Sequence, residues 1–182
     1  AIGDLALVTT SANETVALDL LAGDVLWQHV GFFEQAAILG GATPAANDRL
    51  AVVAYSSGEI FALDLDDGRP IWSDTVLRPR RTLAIGAISD ITGSPVIDDE
   101  RVIVAGNGGE MASFDLANGS RGWNLDVTSR HTPWVAGDFI YVLTDRNEVV
   151  AVVRQGGIVR WVSPLERLRD PDDPESTRIF WA

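Results

Sequence analysis

The amino-acid sequence predicts an all-β fold built from a repeated four-stranded antiparallel sheet, and three observations carry this prediction. The first is a motif of Asp, Gly and Trp at fixed offsets that recurs along the 182 residues. The second is a series of short β-rich segments, separated by turn residues, between successive copies of that motif. The third is that no stretch of about ten residues shows helical periodicity.

The motif is seen first in ALDLLAGDVLW, residues 17–27, and its tryptophan aligns the copies. The four tryptophans are separated by 45, 51 and 38 residues, and each has a glycine four positions before it. An aspartate stands eight positions before the first three, whereas Val153 takes that place in the fourth copy. The members are Asp19, Gly23, Trp27, Asp64, Gly68, Trp72, Asp115, Gly119, Trp123, Gly157 and Trp161. Such agreement indicates a structural repeat.

Each repeat contains segments for four strands, which we label A to D. Strand B is seen in RLAVVAY (49–55), RVIVAG (101–106) and FIYVL (139–143), and strand C in EIFALD, EMASFD and EVVAVV after short turns. Strand D begins at the motif glycine, and segments with Pro44, Pro95 or Pro133 after Thr or Ser supply strand A. Four antiparallel strands at this period predict β-propeller blades. The chain is therefore one partial β-propeller domain, 1–182, with about four blades at 1–31, 43–76, 94–127 and 132–163 and a C-terminal loop at 164–182.

The motif residues have physical roles in such a blade. The glycine permits a positive φ in the turn between strands C and D, and the aspartate accepts backbone N–H groups of that turn. The tryptophan bridges neighbouring sheets, and its burial contributes at most about 4–6 kcal/mol at roughly 25 cal/mol per Å². Because no enzyme needs the same acid in every blade, Asp19 is interpreted as structural. A fourth column, Glu14, Glu59, Glu110 and Glu148, has no assigned role at this stage.

Composition excludes several function classes. The net charge of −12, from 26 acidic and 14 basic residues, disfavours nucleic acid and anionic lipid as direct partners. The absence of cysteine excludes a disulfide, a thiolate metal site and a cysteine nucleophile. His29 and His131 lack a second ligand at a metal-like spacing, and the acidic loop at 170–175 does not match a Ca²⁺-binding loop. The sequence therefore predicts no catalytic, cofactor-binding or metal-binding residues.

Two of the copies, ALDLLAGDVLW and ALDLDDGRPIW, resemble the tryptophan-docking motif of the PQQ-type propellers. The stretch ISDITGSPVIDDERVIVAGNGGEMASFDLANGSRGW (88–123) and the segment RLRDPDDPESTRIFWA are similar to the BamB family within that superfamily. This resemblance implies a non-catalytic scaffold lipoprotein of the outer-membrane β-barrel assembly (BAM) complex, at the periplasmic face of the outer membrane. Its implied partners are a barrel-forming, BamA-like subunit and unfolded outer-membrane proteins. The family usually has eight blades, so the chain is expected to be half of a propeller, either as part of a longer chain or closed by a second copy. Open blade edges predict self-association.

The predicted partner surface is the face that carries the long connections between strand D of one blade and strand A of the next. In GFFEQAAILGG (31–41), Ile38 and Leu39 fall on a docking segment of the resembled family. The alternative is that Phe32 and Phe33 cover the end of the core.

In the second connection, at 76–93, Arg80 and Arg81 are suited to carboxylate contacts, or else belong to a solvated loop that balances nearby acids. By resemblance, Asp90 and Ile91 fall on a second docking segment of the family, whose second acid is replaced by Thr92. Asp90 has the alternative role of capping the turn before strand A.

Two other functions stay open at this stage. The chain is compatible with a fragment of a PQQ-dependent quinoprotein dehydrogenase, which would bind the quinone with Ca²⁺, although the adjacent cysteine pair of those enzymes is absent. It is also compatible with a small-ligand-binding propeller, which would need a polar central funnel.

Overall fold

A computed structural model describes residues 1–32, 41–76, 91, 93–106, 110–173 and 175–181. These residues form four antiparallel sheets in chain order, the first with three strands and the others with four. The described part of the chain contains no helix, and so none that is long and apolar enough to cross a membrane. The prediction of a partial propeller with four-stranded antiparallel blades is confirmed.

The strands follow one another in each sheet as the repeat predicts, because short turns join antiparallel neighbours. The first sheet contains β1 (Leu5–Thr9), β2 (Glu14–Asp19) and β3 (Val25–Val30). The second contains β4 (Ala45–Ala46), β5 (Leu50–Ala54), β6 (Glu59–Asp64) and β7 (Pro70–Thr75). The third contains β8 (Val96–Asp98), β9 (Arg101–Ala105), β10 (Met111–Asp115) and β11 (Arg121–Leu125), and the fourth β12 (Trp134–Ala136), β13 (Phe139–Leu143), β14 (Glu148–Val153) and β15 (Ile158–Pro164).

Every sheet has an irregularity at the same place, where its last two strands pair. The register shifts by one residue directly after the position opposite the motif tryptophan. That opposite position holds a small residue in each sheet, namely Ala17, Ala62, Ser113 and Ala151. A small neighbour leaves room for the indole on the face of the sheet.

The hydrophobic core consists of apolar layers between successive sheets. Between the first and second sheets, Ala17 and Trp27 pack with Val53, Tyr55 and Leu63. The layer between the second and third sheets is formed around Val52, Ile60, Trp72, Val102 and Phe114, and the next layer around Ile103, Met111, Ile140, Val142 and Val152. Central strands of each inner sheet are therefore apolar on both faces, which explains their short continuous hydrophobic runs.

Backbone hydrogen bonds define the two ends of the blades. The N–H groups of Gly31, Val76 and Leu165, just after strand D, donate to the carbonyls of Asn13, Gly58 and Asn147 in the turns between strands B and C, over 2.8–2.9 Å. We call this end the loop face, because the connections to the next blade leave from it. At the opposite end, the turn face, the turns between strands A and B meet those between strands C and D, as in the bond from Leu65 N–H to the Arg49 carbonyl.

Candidate functional site

The aspartate of the motif fixes the turn on the turn face, as predicted. The Asp19 carboxylate accepts the N–H groups of Leu21 at 2.8 Å and Ala22 at 2.7 Å, and these two bonds, the Ala22 bond first, hold the pKa of Asp19 below its ordinary value. Asp115 accepts two N–H groups in the same way, at 3.0 Å each, and Asp64 accepts that of Asp66. This carboxylate is occupied by its own turn and serves structure.

The glycine and the tryptophan act together across each junction between sheets. A Cβ atom on Gly68 would lie 2.6 Å from Cδ2 of Trp27, one on Gly119 2.6 Å from Cδ2 of Trp72, and one on Gly157 2.5 Å from Cδ2 of Trp123. These glycines have φ of +65° to +74°. The glycine therefore serves twice, since it allows the turn and also admits the tryptophan of the preceding blade.

A hydrogen bond completes two of the three junctions. The indole Nε1–H of Trp27 donates to the Leu65 carbonyl at 2.9 Å, and that of Trp72 to the Leu116 carbonyl at 2.8 Å, in each case the residue after the motif aspartate of the next blade. At the third junction that residue is Arg154, and the buried Nε1 of Trp123 has no hydrogen-bond partner among the described residues. The junction that lost the aspartate has thus also lost the indole bond.

The Ser or Thr before each proline joins the starts of the inner strands, a role that sequence reasoning missed. The Thr43 N–H donates to Ser94 Oγ at 3.1 Å, and the Ser94 N–H donates to Thr132 Oγ1 at 3.0 Å. These bonds run from blade to blade on the loop face. The repeated Thr/Ser–Pro pair in the sequence was the sign of these hydrogen bonds. The partner of each Ser or Thr could be recognised only once the stacking of the blades was known.

The glutamate column acquires a role at two junctions. The Glu59 carboxylate accepts the N–H of Phe32, from the preceding blade, at 2.8 Å. Glu110 pairs at 2.9 Å with Arg121, whose guanidinium also contacts the Asp74 carboxylate and the Thr75 carbonyl of the preceding blade at 2.9 Å each. These buried glutamates therefore hold the last residues of the neighbouring blade.

Phe32 is the feature of the loop face that this arrangement presents. Glu59 holds its backbone N–H, and the Asn13 side chain donates to its carbonyl at 2.9 Å. Asn13 is itself fixed, because its Oδ1 accepts the N–H and the hydroxyl of Ser56. The residue is nevertheless 73% exposed. Phe32 therefore does not cover the end of the core, because its anchored backbone presents the side chain to solvent. Phe33, the other residue of that alternative, lies outside the described residues.

A polar cluster lies directly beneath this position. Tyr55 donates to Thr15 Oγ1 at 3.1 Å, and its hydroxyl lies 2.8 Å from His29 Nδ1. Burial raises the pKa of Tyr55 to about 12, and burial, opposed by the charge of Glu59, lowers the pKa of His29. The partly buried His29 therefore has a structural role between the first two blades.

The predicted partner contacts fall mostly outside the described residues. Ile38, Leu39, Arg80, Arg81 and Asp90 lie there. Ile91 is described, and its side chain is buried in the apolar layer between the second and third sheets. A partner contact by Ile91 would require its side chain to leave that layer.

The acidic C-terminal loop is held by hydrogen bonds between its own carboxylates and its own backbone N–H groups. Asp170 accepts the Asp172 N–H at 3.1 Å, and Asp173 accepts the Glu175 N–H at 3.0 Å. Among the described residues, no three His, Cys, Asp or Glu side chains form a group that could hold a metal ion.

Comparison with known proteins places this geometry in a family. The family model described as outer membrane protein assembly factor BamB matches residues 2–163, which include all four copies of the tryptophan motif. The chain belongs to the BamB family. The BamB of Moranella endobia is 27% identical over 155 residues, which is 85% of this chain and 40% of that protein.

Solved structures agree with this assignment. The BamB of Moraxella catarrhalis superposes with a TM-score of 0.80 at 26% identity, over 88% of this chain and 49% of that one. The quinohemoprotein alcohol dehydrogenase of Comamonas testosteroni superposes with a TM-score of 0.78 over 88% of this chain and 33% of its own, but at 14% identity, which is a likeness of fold alone. The chain thus spans about two fifths to one half of the length of these BamB relatives.

Proposed function

We propose that this chain is a non-catalytic scaffold of the machinery that assembles outer-membrane β-barrel proteins, working at the periplasmic face of the outer membrane. The observation that carries the proposal is the match of the BamB family model to residues 2–163. The motif aspartates support it, because they are occupied by their own turns and leave the repeat without a free acid at those positions.

The loop face is the surface we assign to the partner, a barrel-forming, BamA-like subunit. Phe32 would be its aromatic anchor, since a rigid exposed ring loses little conformational entropy on binding and aromatic residues dominate interface energetics. The connections that begin at Gly31 and Val76 leave from the same face and contain Ile38, Leu39, Arg80, Arg81 and Asp90. Arg80 and Arg81 would bind carboxylates of that subunit, and Asp90 a basic group.

The proposal is tested by the affinity of the purified chain for an immobilised BamA-like subunit. Phe32→Ser is expected to weaken binding by at least about tenfold, the loss typical of an anchor residue. Leu21→Ser is the matched control, because Leu21 is also apolar and exposed, at 90% against 73% for Phe32, but lies in a turn on the turn face. Asp90→Lys tests the second connection. Equal affinity of the wild type, Phe32→Ser and Asp90→Lys would refute the site.

A quinone titration separates this role from that of a quinoprotein fragment. The scaffold proposal expects no saturable absorbance change when pyrroloquinoline quinone and Ca²⁺ are added to the purified chain. A saturable change with a defined stoichiometry would contradict it.

A further inference from the structure

We propose that the junction between the third and fourth sheets is a binding site for a small zwitterion, a molecule that carries a carboxylate and an ammonium group as an amino acid or a short peptide does. The site lies on the turn face, at the opposite end of the blades from the loop face. It therefore does not depend on the assembly partner proposed above.

The turn-face end of this junction is polar where the other two junctions are apolar. Four repeat positions meet there: opposite the motif aspartate, opposite the motif tryptophan, directly before that tryptophan, and directly after the aspartate position of the next blade. In the first two junctions these positions hold Leu5, Ala17, Leu26 and Leu65, and Leu50, Ala62, Ile71 and Leu116; in the third they hold Arg101, Ser113, Gly122 and Arg154. All four positions differ together in a single junction, which indicates a local function there.

Gly122 makes room for the guanidinium of Arg101. A Cβ atom on Gly122 would lie 2.8 Å from Nη1 of Arg101, which is too close for a side chain, and 3.8 Å from Oγ of Ser113. Arg101 is partly buried, and its guanidinium forms no hydrogen bond or ion pair with the described residues. An arginine whose donors are free in this way matches a carboxylate, which it binds through two parallel hydrogen bonds.

Two further donors at this end of the junction lack an acceptor. Ser113 is fully buried, and neither its hydroxyl nor the indole Nε1–H of Trp123 has a hydrogen-bond partner in the described part of the chain. The two residues lie directly opposite one another on β10 and β11. Because a buried donor without an acceptor costs free energy, these two groups and Arg101 together indicate an acceptor that the chain itself does not supply.

A cleft of about 640 Å³ opens onto this end of the junction, which is a size typical of small-molecule sites. Its lining includes Arg101 from the third sheet and Arg154 from the fourth. Arg154 is already paired with the carboxylates of Asp98 and Asp99. Arg101 is therefore the cation of this lining that is available to a ligand.

The charges around the cleft favour a zwitterion over a simple anion. Glu100 and Asp138 also line the cleft, and their carboxylates form no hydrogen bond or ion pair with the described residues. Together with the net charge of −12, they oppose a molecule that carries negative charge alone. A ligand with an ammonium group beside its carboxylate pairs with both signs.

The bound carboxylate would accept first from Arg101, which lines the cleft. Ser113 and Trp123 lie behind this lining, so they donate to the same carboxylate once the Arg101 side chain turns from Gly122 into the cleft. Binding thus supplies the acceptor that all three groups lack.

Calorimetric titration of the purified chain with small probes tests the chemistry of the ligand. Glycine and triglycine carry both charges, N-acetylglycine only the carboxylate, and glycinamide only the ammonium group. At least one of the first two is expected to bind saturably, at least about tenfold more tightly than either single-charge probe. Tighter binding of triglycine than of glycine would assign the site to a short peptide, and the reverse to a free amino acid. Absence of saturable binding, or equal binding of N-acetylglycine, would overturn the proposal.

Arg101→Gln tests the residue that binds the carboxylate. It is expected to weaken binding by at least about tenfold, because charged hydrogen bonds to the ligand are lost. The melting temperature of the free chain should be nearly unchanged, since Arg101 has no ionic partner among the described residues. Arg49→Gln is the matched control, because Arg49 is an exposed arginine on the turn face that lines a different cleft, between the second and third sheets. Equal affinities of the two variants would refute the site.

The indole N–H of Trp123 reports on binding from inside the junction. Its signal in a nitrogen–proton NMR spectrum is identified as the one of six tryptophan signals that Trp123→Phe removes. This signal is expected to shift when the probe binds, whereas that of Trp72, which already donates to the Leu116 carbonyl, should stay in place. Arg101→Leu/Gly122→Ile, which gives these positions the residues of the second junction, should abolish both the binding and the shift. A Trp123 signal that does not move at saturation would contradict the proposed contacts.

Discussion

Each residue of the repeat motif has a separate role in joining two blades. The aspartate holds a turn, the glycine makes room, and the tryptophan fills that room and donates a hydrogen bond where a carbonyl is in reach. Trp123 is the informative exception, because it fills its place over Gly157 and lacks the bond. The same chain thus offers matched positions that separate packing from hydrogen bonding.

The indole hydrogen bond is tested by comparing Trp72→Phe with Trp123→Phe. Both changes remove apolar contact, but only the first leaves a buried carbonyl, that of Leu116, without its donor. Trp72→Phe is expected to lower the free energy of unfolding by about 1–2 kcal/mol more than Trp123→Phe. Urea denaturation of the two variants measures this difference. Equal losses would contradict the role given to the bond.

The close approach of the indole to glycine is tested by Gly119→Ala. Gly119 and Gly137 both have positive φ, so alanine at either position costs about 1–2 kcal/mol of backbone strain. At Gly119 the new methyl group would also collide with Trp72, whereas at Gly137 it meets nothing within 4 Å. Gly119→Ala is therefore expected to cost at least about 2 kcal/mol more than Gly137→Ala in chemical denaturation. Similar losses of unfolding free energy for the two variants would show that the neighbouring sheet moves to accommodate the methyl group, and would contradict the prediction.

On the scale of strands and turns, polar groups supplement the apolar layers. Arg121, at the start of β11, contacts the Glu110 carboxylate just before β10 and the end of β7 in the preceding sheet. Beneath Phe32, Tyr55 at the end of β5 bonds with Thr15 of β2, and its hydroxyl meets His29 of β3. Both groups lie toward the loop face, and both fix the position from which a connection to the next blade departs.

The contact of Arg121 with Glu110 is expected to couple the two blades energetically. Arg121→Met removes the charged hydrogen bonds of Arg121 to the buried Glu110 carboxylate and to Asp74, and should cost about 1–3 kcal/mol. In the double variant Arg121→Met/Glu110→Gln no such charge remains, so the loss should be smaller than the sum of the single losses. A double-mutant cycle measured by urea denaturation gives the coupling, expected at about 1–3 kcal/mol. Additive losses would contradict the contact.

The buried Tyr55 predicts loss of stability at alkaline pH. Burial raises its pKa to about 12, while in the unfolded chain the phenol ionises near 10. Its contribution is therefore complete below pH ~10 and is lost as the pH rises toward ~12, by about 1–3 kcal/mol. The 14 basic residues are all arginine, so no lysine titrates in this window.

Denaturation midpoints between pH 9 and 12 test this prediction, with Tyr55→Phe as the comparison. The variant should be less stable at neutral pH, because Thr15 and His29 lose a partner, but its stability should decline less above pH ~10. Parallel pH profiles for the wild type and Tyr55→Phe would refute the assignment.

For the molecule as a whole, stacking of sheets and net charge act in opposite directions. The apolar layers between sheets hold the blades together, whereas 26 acidic residues against 14 basic ones repel one another. Screening should therefore stabilise the chain, with an expected rise of about 2–5 °C in the melting temperature between ~0.02 and ~0.2 M NaCl. Calorimetry measures it. A lower melting temperature in salt would mean that ion pairs such as Arg121–Glu110 outweigh the general repulsion.

The sequence by itself determined the blade. Alternating apolar strands, short turns and the Asp–Gly–Trp spacing are properties of neighbouring residues, so the strand order and the roles of Asp19 and Gly23 could be predicted locally. The motif carried the resemblance to the PQQ-type propellers, and the stretch 88–123 with the C-terminal segment carried the narrower resemblance to BamB, which is confirmed by the family model that matches residues 2–163.

Only the tertiary structure decided which residues contact one another between neighbouring blades. The partners of Glu59, Ser94 and Trp123 lie on other sheets, 27 or more residues away along the chain, and their contacts depend on how the sheets stack. Stacking also buried Ile91 and left Phe32 exposed on an anchored backbone. A sequence pattern within one repeat specifies the strands and turns of that blade. The contacts at a junction depend instead on the relative positions of two blades.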